Sequence, residues 1–246
     1  MPVDFPWLPF VLIFVLGGSV KGALGVGLPL VAVPLLSLWL PSPQAIAMLA
    51  VPVLSSNLWQ AMEGKRFMQS LKRFRGLILA QLMATVLTVR MTLAMTSSQL
   101  NVMLALALLL AVGLMAFQPT LRISPKQEHL AGTGVGLFSG LLGGVSSITG
   151  PVVITYLLSL RLERDTFIRS ISVIYFVGAL PLYSAMLWFG RLEVLDFAMS
   201  TVALVPMAAG LAIGKMLRLW LNEAVFRKIL LAFLALLAVL LLLKAR

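Results

Sequence analysis

The sequence has 246 residues, of which 61% are hydrophobic and 11% are charged, and its formal net charge is +11. This composition is typical of an integral membrane protein, and it excludes a soluble enzyme with a large polar surface. The positive charge does not indicate a nucleic-acid partner, because the lysines and arginines lie between apolar segments, where they orient a chain in the bilayer. The lack of cysteine excludes disulfides and thiolate chemistry.

Ten apolar segments divide evenly between the two halves of the chain. Their continuous rather than alternating hydrophobicity predicts an all-α, polytopic membrane protein of 8–10 helical segments. The segments cover residues 7–20, 28–40, 43–62, 76–95, 98–117, 131–143, 150–161, 166–189, 194–216 and 224–243. The first two and the sixth and seventh are short: about 13 residues extend about 20 Å, less than the roughly 30 Å hydrocarbon core. Each short pair therefore predicts a broken helix or a re-entrant hairpin.

The two short pairs are related by an internal repeat. The stretch from Gly17 to Pro29 matches the stretch from Ser139 to Pro151 without a gap at an offset of 122 residues, and Pro29 falls on Pro151. The match continues through the sequence Leu-Leu-Ser-Leu, which starts at residues 35 and 157. We predict one transmembrane repeat over residues 1–117, a cytoplasmic linker over 118–130 and a second repeat over 131–246. Glycine- and proline-broken helices at matching points of two halves indicate a transport site.

Charge bias favours opposite orientations for the two repeats. Lysine and arginine cluster in the loops between segments three and four, five and six, seven and eight, and nine and ten, whereas residues 41–43, 96–98 and 191–196 form neutral or slightly acidic loops. The positive-inside rule places the basic loops in the cytoplasm and both termini in the periplasm. Each half then crosses the membrane an odd number of times, which predicts inverted repeats. If each hairpin instead counts as one span, the halves are parallel and there are eight spans.

Lys21 is the strongest single candidate for a binding residue. It lies inside the first glycine-rich stretch, where a buried lysine costs several kcal/mol unless it faces protein or water. It would give an anionic substrate a fixed positive charge. The alternatives are that it snorkels to the membrane surface, or that the turn itself reaches the cytoplasm.

Glycines and prolines beside Lys21 supply a second kind of anion contact. Pro29 and Pro151 are suited to the first turn of a helix, whose free N–H groups favour an anion. The candidate backbone positions at these two turns are Gly22, Gly25, Gly27, Gly144 and Gly150. Small residues also allow tight helix packing in membranes, which is the alternative interpretation.

Hydroxyl and amide side chains complete the candidate site. Ser146, Ser147 and Thr149 lie in the second glycine-rich stretch, Asn57 in a polar patch of the third segment, and Tyr175 in the eighth. Taken alone, each of them is better explained by a hydrogen bond between helices than by contact with a ligand.

The acidic residues argue against several functions. All eight lie in loops or at segment ends, so the sequence offers no buried carboxylate for a proton relay. No phosphate-binding loop, metal-ligand set or catalytic triad is present in the sequence. We therefore expect no enzymatic activity, no cofactor and no bound metal; the partners would be a small anion and the lipid bilayer, with the oligomeric state open.

The two glycine-rich motifs resemble those of a known family. The run Gly22-Ala-Leu-Gly-Val-Gly-Leu-Pro-Leu-Val-Ala-Val-Pro-Leu-Leu36 resembles the first-repeat motif of the TauE/SafE sulfite exporters, also called TSUP transporters. The run from Gly140 to Val153 resembles the second motif. This resemblance implies a multi-pass protein of the bacterial inner membrane that moves sulfite, sulfonates, sulfoacetate or related organic anions. We accordingly predict an alternating-access secondary transporter; the alternatives are a passive anion channel and a non-transporting membrane scaffold.

Overall fold

The computed structural model describes residues 6–25, 27–63, 67–117, 122–124, 126–220 and 223–245. Within these ranges the chain forms thirteen helices and no strand, which confirms the all-α prediction. The helices are α1 (Trp7–Leu24), α2 (Leu28–Leu36), α3 (Ser42–Ala47), α4 (Ala50–Glu63), α5 (Phe67–Arg73), α6 (Arg75–Thr92), α7 (Ser97–Phe117), α8 (Glu128–Ser146), α9 (Gly150–Ser159), α10 (Arg164–Trp188), α11 (Val194–Val202), α12 (Leu204–Trp220) and α13 (Glu223–Lys244).

Six spans of the described chain are long and apolar enough to cross a membrane, and α5 with α6 makes a seventh if this pair, bent by 76°, is one span. The count of thirteen helices exceeds the ten predicted segments because the hydrophobic pattern did not show two breaks and one additional short helix. The pairs α3–α4 and α11–α12 each form one predicted segment. The third extra helix, α5, lies in the stretch predicted to be a basic loop.

Each glycine-rich motif is the turn of a hairpin with unequal arms. The first arm is α1 or α8, of 18 and 19 residues, and the second is α2 or α9, of 9 and 10 residues. At 1.5 Å per residue, the first arms extend about 27 Å and the second arms about 14 Å. The prediction that all four segments are short is therefore wrong for α1 and α8, because their helices continue through the glycines to residues 24 and 146.

The long arm of each hairpin packs in parallel against a helix of the other repeat. A Cβ atom on Gly18 would lie 2.4 Å from the Met207 carbonyl oxygen, and one on Gly214 would lie 2.1 Å from that of Ser19. Positions therefore increase together along α1 and α12. A Cβ atom on Gly136 would likewise lie 2.2 Å from the Leu77 carbonyl oxygen. Further along the same two helices Gly144 abuts Thr88, so positions also increase together along α6 and α8. Glycine allows this close backbone approach in both pairs.

Contacts between loops define two ends of the helix bundle. At the terminal end (residues 37–44, 92–101, 191–196 and 244–245), Lys244 Nζ donates a hydrogen bond to the Ser37 carbonyl and Ser42 Oγ donates one to Asn101. At the linker end (residues 67–75, 122–124, 126–133 and 156–170), Arg73 forms a bidentate ion pair with Glu128. The Ile123 N–H also donates to the Ser159 carbonyl there.

These ends give the direction of every helix. In the first repeat the α1–α2 hairpin starts at the terminal end and returns to it, and α3–α4, α6 and α7 then cross the bundle in turn. In the second repeat the α8–α9 hairpin starts at the linker end and returns to it, and α10, α11–α12 and α13 cross in the opposite directions. The inverted-repeat prediction is confirmed, and the alternative of two parallel halves is wrong.

Two apolar clusters hold the bundle together. The larger one joins α1–α4, α7, α10 and α13 and includes Phe14, Leu28, Leu104 and Leu234. The smaller one lies at the linker end around Phe74, and its members come from α6, α9 and α10. Both hairpins are thus fixed in the interior, where their turns meet.

Candidate functional site

A cavity of about 70 Å³ lies between the turns of the two hairpins. Its walls come from both repeats: the α1–α2 turn, α4, α6 and α7 from the first, and the α8–α9 turn and α10 from the second. Since a water molecule needs about 10–15 Å³ of such space, the cavity has room for a few waters or for one small ion.

Lys21 reaches this cavity from the last turn of α1. Its side chain is 4% exposed, and its Nζ donates hydrogen bonds to Ser56 Oγ at 2.9 Å and to Asn57 Oδ1 at 2.6 Å. Ser56 Oγ in turn donates its own proton to the Pro52 carbonyl, so its oxygen is oriented as an acceptor for Lys21. The snorkelling alternative requires the Lys21 side chain to reach the surface of the protein, and in the structure this side chain is buried.

The cavity contains a positive charge without a carboxylate. Among the described residues that line it, none is acidic and Lys21 is the one cation. No ion pair joins Lys21 to any described acidic residue. A lysine ammonium has three N–H donors, of which two are used by Ser56 and Asn57, and the third remains available to a ligand in the cavity.

The first hairpin turn presents backbone to the cavity. Gly25 and Gly27 have φ values of 80° and 112°, which are the left-handed conformations that glycine accommodates without strain. Gly27 is the N-cap of α2, and Pro29 stands in its first turn. Gly27 and the first three residues of α2 line the cavity, so the helix N-terminus, with its free N–H groups and positive dipole end, borders this space.

The second hairpin turn contributes side chains as well as backbone. Ser147 takes the left-handed conformation (φ 59°) at the end of α8, and α9 begins at Gly150 after Thr149. Tyr175 on α10 donates a hydrogen bond from its hydroxyl to the Gly150 carbonyl at 3.1 Å. This bond uses the hydroxyl proton, so Tyr175 holds the turn in place and does not donate that proton to a ligand in the cavity.

The structure brings seven of the eleven predicted site residues to the cavity wall. They are Lys21, Gly27, Asn57, Ser147, Thr149, Gly150 and Tyr175. The other four lie elsewhere, for reasons of local packing. Gly22 abuts α12, because a Cβ atom there would lie 2.4 Å from the Leu211 carbonyl oxygen, and Gly25 borders open space. Gly144 abuts Thr88, and Ser146 Oγ donates to the Leu142 carbonyl while accepting from the Ile148 N–H.

Several residues at the cavity or next to its lining gave little signal in the sequence. Ser56 belongs to the polar patch around Asn57, but only the structure shows that it accepts from Lys21. Thr85 and Gly178 line the cavity from the middle of α6 and α10. They stand in apolar helices with no distinguishing pattern, so sequence reasoning could not have selected them.

A helical bundle of inverted repeats, with two broken hairpins meeting at a cavity, is the architecture of many secondary transporters. A comparison with protein families gave the sulfite exporter TauE/SafE family, matched over residues 10–241. The chain belongs to this family of membrane transporters, which confirms the resemblance seen in its two motifs. Comparisons with curated proteins and with solved structures found no match.

Proposed function

We propose that this protein is a secondary transporter that moves sulfite, a sulfonate, sulfoacetate or a related small organic anion across the bacterial inner membrane. The observation that carries the proposal is the Lys21 ammonium, which is buried at the hairpin turns and has no carboxylate beside it. Family membership supports the substrate class, and the cavity supports a single small anion as the occupant.

Electrostatics explains why an anion suits this cavity. A buried charge without a counter-ion is costly, because the protein replaces only part of the hydration that the charge loses. A bound anion supplies the missing counter-ion and accepts a charge-assisted hydrogen bond from Lys21. The N-terminal ends of α2 and α9 add backbone donors from opposite repeats, and Ser147 and Thr149 add hydroxyls. A sulfonate or sulfite group has several oxygens that can accept from these donors at once.

The inverted repeats support alternating access as the transport mechanism. Each hairpin returns to a different end of the bundle, and both turns border the same cavity. Rocking of the repeats about the cavity would expose it to one end and then to the other. The scaffold alternative requires Lys21 to lie at the lipid headgroups. The burial of Lys21 at a cavity that both repeats line supports the transporter instead.

Counterflow of sulfite in proteoliposomes tests the proposed function. Vesicles loaded with unlabelled sulfite are diluted into a trace of ³⁵S-sulfite, and a carrier then accumulates label transiently above equilibrium. We expect such an overshoot, saturation with substrate, and competition by sulfoacetate and ethanesulfonate. Flux that neither saturates nor overshoots would indicate the passive channel instead, and absence of flux for all of these anions would contradict the proposal.

The sidedness of the two ends gives a separate prediction. We propose that the linker end, which carries Arg73, Arg122 and Arg161, faces the cytoplasm, and that both termini are periplasmic. The chain has no cysteine, so single cysteines can be introduced at exposed Gln99, at the terminal end, and at exposed Lys126, at the linker end. A membrane-impermeant maleimide should label Gln99→Cys in intact cells and Lys126→Cys only after permeabilisation. The reverse pattern would invert the proposed orientation.

Asn57→Asp should block anion binding while the protein stays folded. The substitution keeps the shape of the side chain but puts a carboxylate 2.6 Å from Lys21 Nζ, where it would replace the transported anion as counter-ion. We expect sulfite transport to fall at least about tenfold, since a close charge pair is worth a few kcal/mol. Thermal unfolding in detergent provides the second readout. Sulfite should raise the melting temperature of the wild type and leave that of Asn57→Asp unchanged; an equal rise in both would refute the proposed role of the pair.

A further inference from the structure

We propose that Arg191 forms a second anion-binding site at the terminal end, through which the substrate passes between the central cavity and the solution. This inference rests on the proposed function, because it concerns the path of the same small oxyanion. It assigns a role to a cation outside the central cavity and to a smaller space that Arg191 lines.

The smaller space lies beside the central cavity in the direction of the terminal end. Its volume is about 20 Å³, and Ser42, Thr92, Gly144, Met186 and Arg191 are among its lining residues. On α6 the wall of the central cavity includes Thr85, and Thr92 lies seven residues further on, about 10 Å along the helix. The two spaces are therefore stacked along α6 and α10.

The end of α8 separates the two spaces. Gly143 lines the central cavity, and the next residue, Gly144, lines the smaller space. The last turn of α8, directly before the hairpin turn, thus borders both spaces, and alternating access requires this hairpin to move. The smaller space holds one or two waters as it stands, by the same volume criterion, so an anion would occupy it when the turn moves away.

Arg191 is a half-buried cation with few partners. Its guanidinium donates one hydrogen bond, from an Nη atom to the Thr92 carbonyl at 3.3 Å. A guanidinium has five N–H donors in a planar fork that matches the geometry of an oxyanion. Most of these donors remain available to a ligand in the adjoining space.

Two carboxylates lie close to Arg191 in sequence, and both are engaged elsewhere. Asp196 accepts hydrogen bonds from Gln44 Nε2 and from the Glu193 N–H, and the Glu193 side chain caps the start of α11. No ion pair joins Arg191 to either one. Arg191 therefore resembles Lys21: it borders a space whose described lining residues include no carboxylate.

Arg191→Gln tests this inference against a matched control. The control is Arg90→Gln, which removes the same charge from an exposed position on α6 near the same end but outside both cavities. We expect Arg191→Gln to raise the KM for sulfite counterflow about tenfold with little change in kcat, and Arg90→Gln to match the wild type. Equal KM values for all three proteins would overturn the inference and leave the proposed carrier intact, whereas an inactive wild type would contradict the proposed function itself.

Chemical restoration of the charge separates binding from a structural role. Arg191→Cys places a single cysteine in a chain that has none. Alkylation with 2-bromoethylamine adds a positive charge, and alkylation with iodoacetamide adds a neutral group of similar size; both give thioethers, which sulfite does not cleave. Recovery of the low KM with the cationic adduct alone supports the anion site. Equal KM values for the two adducts would show that charge at position 191 does not bind the substrate.

Discussion

Lys21→Met is expected to reduce the kcat/KM of sulfite transport about 100-fold. Methionine keeps most of the length and apolar surface of lysine but removes the charge and its N–H donors. The substrate then loses its counter-ion and a charge-assisted hydrogen bond, together worth roughly 2–5 kcal/mol. Ser56 and Asn57 also lose their donor, but Asn57 lines a cavity that admits water and Ser56 keeps its hydrogen bond to the Pro52 carbonyl. Steady-state counterflow in proteoliposomes measures the change.

Lys215→Met is the control for Lys21→Met. Lys215 is exposed on α12, the helix that packs along α1, and it lies outside the central cavity. Its removal changes the net charge by the same amount and should leave transport within about twofold of the wild type, as is usual for a screened surface charge. Equal losses in the two variants would indicate a general effect of charge, and no loss in either would place the binding site away from Lys21.

Gly136→Ala is expected to destabilise the protein strongly. A Cβ atom at this position would lie 2.2 Å from the Leu77 carbonyl oxygen and 2.9 Å from its carbonyl carbon, so α8 must move away from α6. Forced overpacking of this kind costs about 1–3 kcal/mol. By the scaling for chains of this size, the melting temperature in detergent should fall by roughly 2–12 °C.

Gly134→Ala, two residues away on the same helix, is the matched control. Gly134 is exposed, and a Cβ atom there would have no neighbour within 4 Å. Alanine should leave the stability unchanged or raise it slightly, because it favours the helix over glycine by about 0.5–1 kcal/mol. Similar melting temperatures for the two variants would contradict the close packing of α6 on α8, and with it the helix directions that define the inverted repeats.

The repeat and the charge pattern were sufficient to predict the architecture. The match between Gly17–Pro29 and Ser139–Pro151 located both hairpins, and the alternation of basic loops favoured the inverted arrangement that the structure shows. Lys21 could be selected because a lone charge in apolar sequence is costly and therefore conspicuous. Lys21 and Asn57 are 36 positions apart along the chain, and no sequence pattern relates them. The hydrogen bond between them is therefore visible only in the folded structure.

The glycines show where sequence reasoning fails. Glycine serves a turn that needs a positive φ and a helix contact that needs no Cβ atom, and the sequence does not distinguish the two uses. Gly27 has φ 112° and borders the cavity, whereas Gly22 is helical and abuts the Leu211 carbonyl. The ends of α1 and α8 were missed for the same reason: their last turns consist largely of small residues that the hydrophobic pattern assigned to a break.

The measurement that tests the central claim most directly is equilibrium binding of ³⁵S-sulfite to the purified protein, with the wild type beside Lys21→Met. We expect one ion to bind saturably in the central cavity of the wild type and to be displaced by sulfoacetate, and we expect this binding to be lost in the variant. Arg191→Gln in the same assay should retain the central site. Binding of equal strength to the wild type and to Lys21→Met, with both proteins folded by their melting temperatures, would contradict an anion site built around the buried lysine.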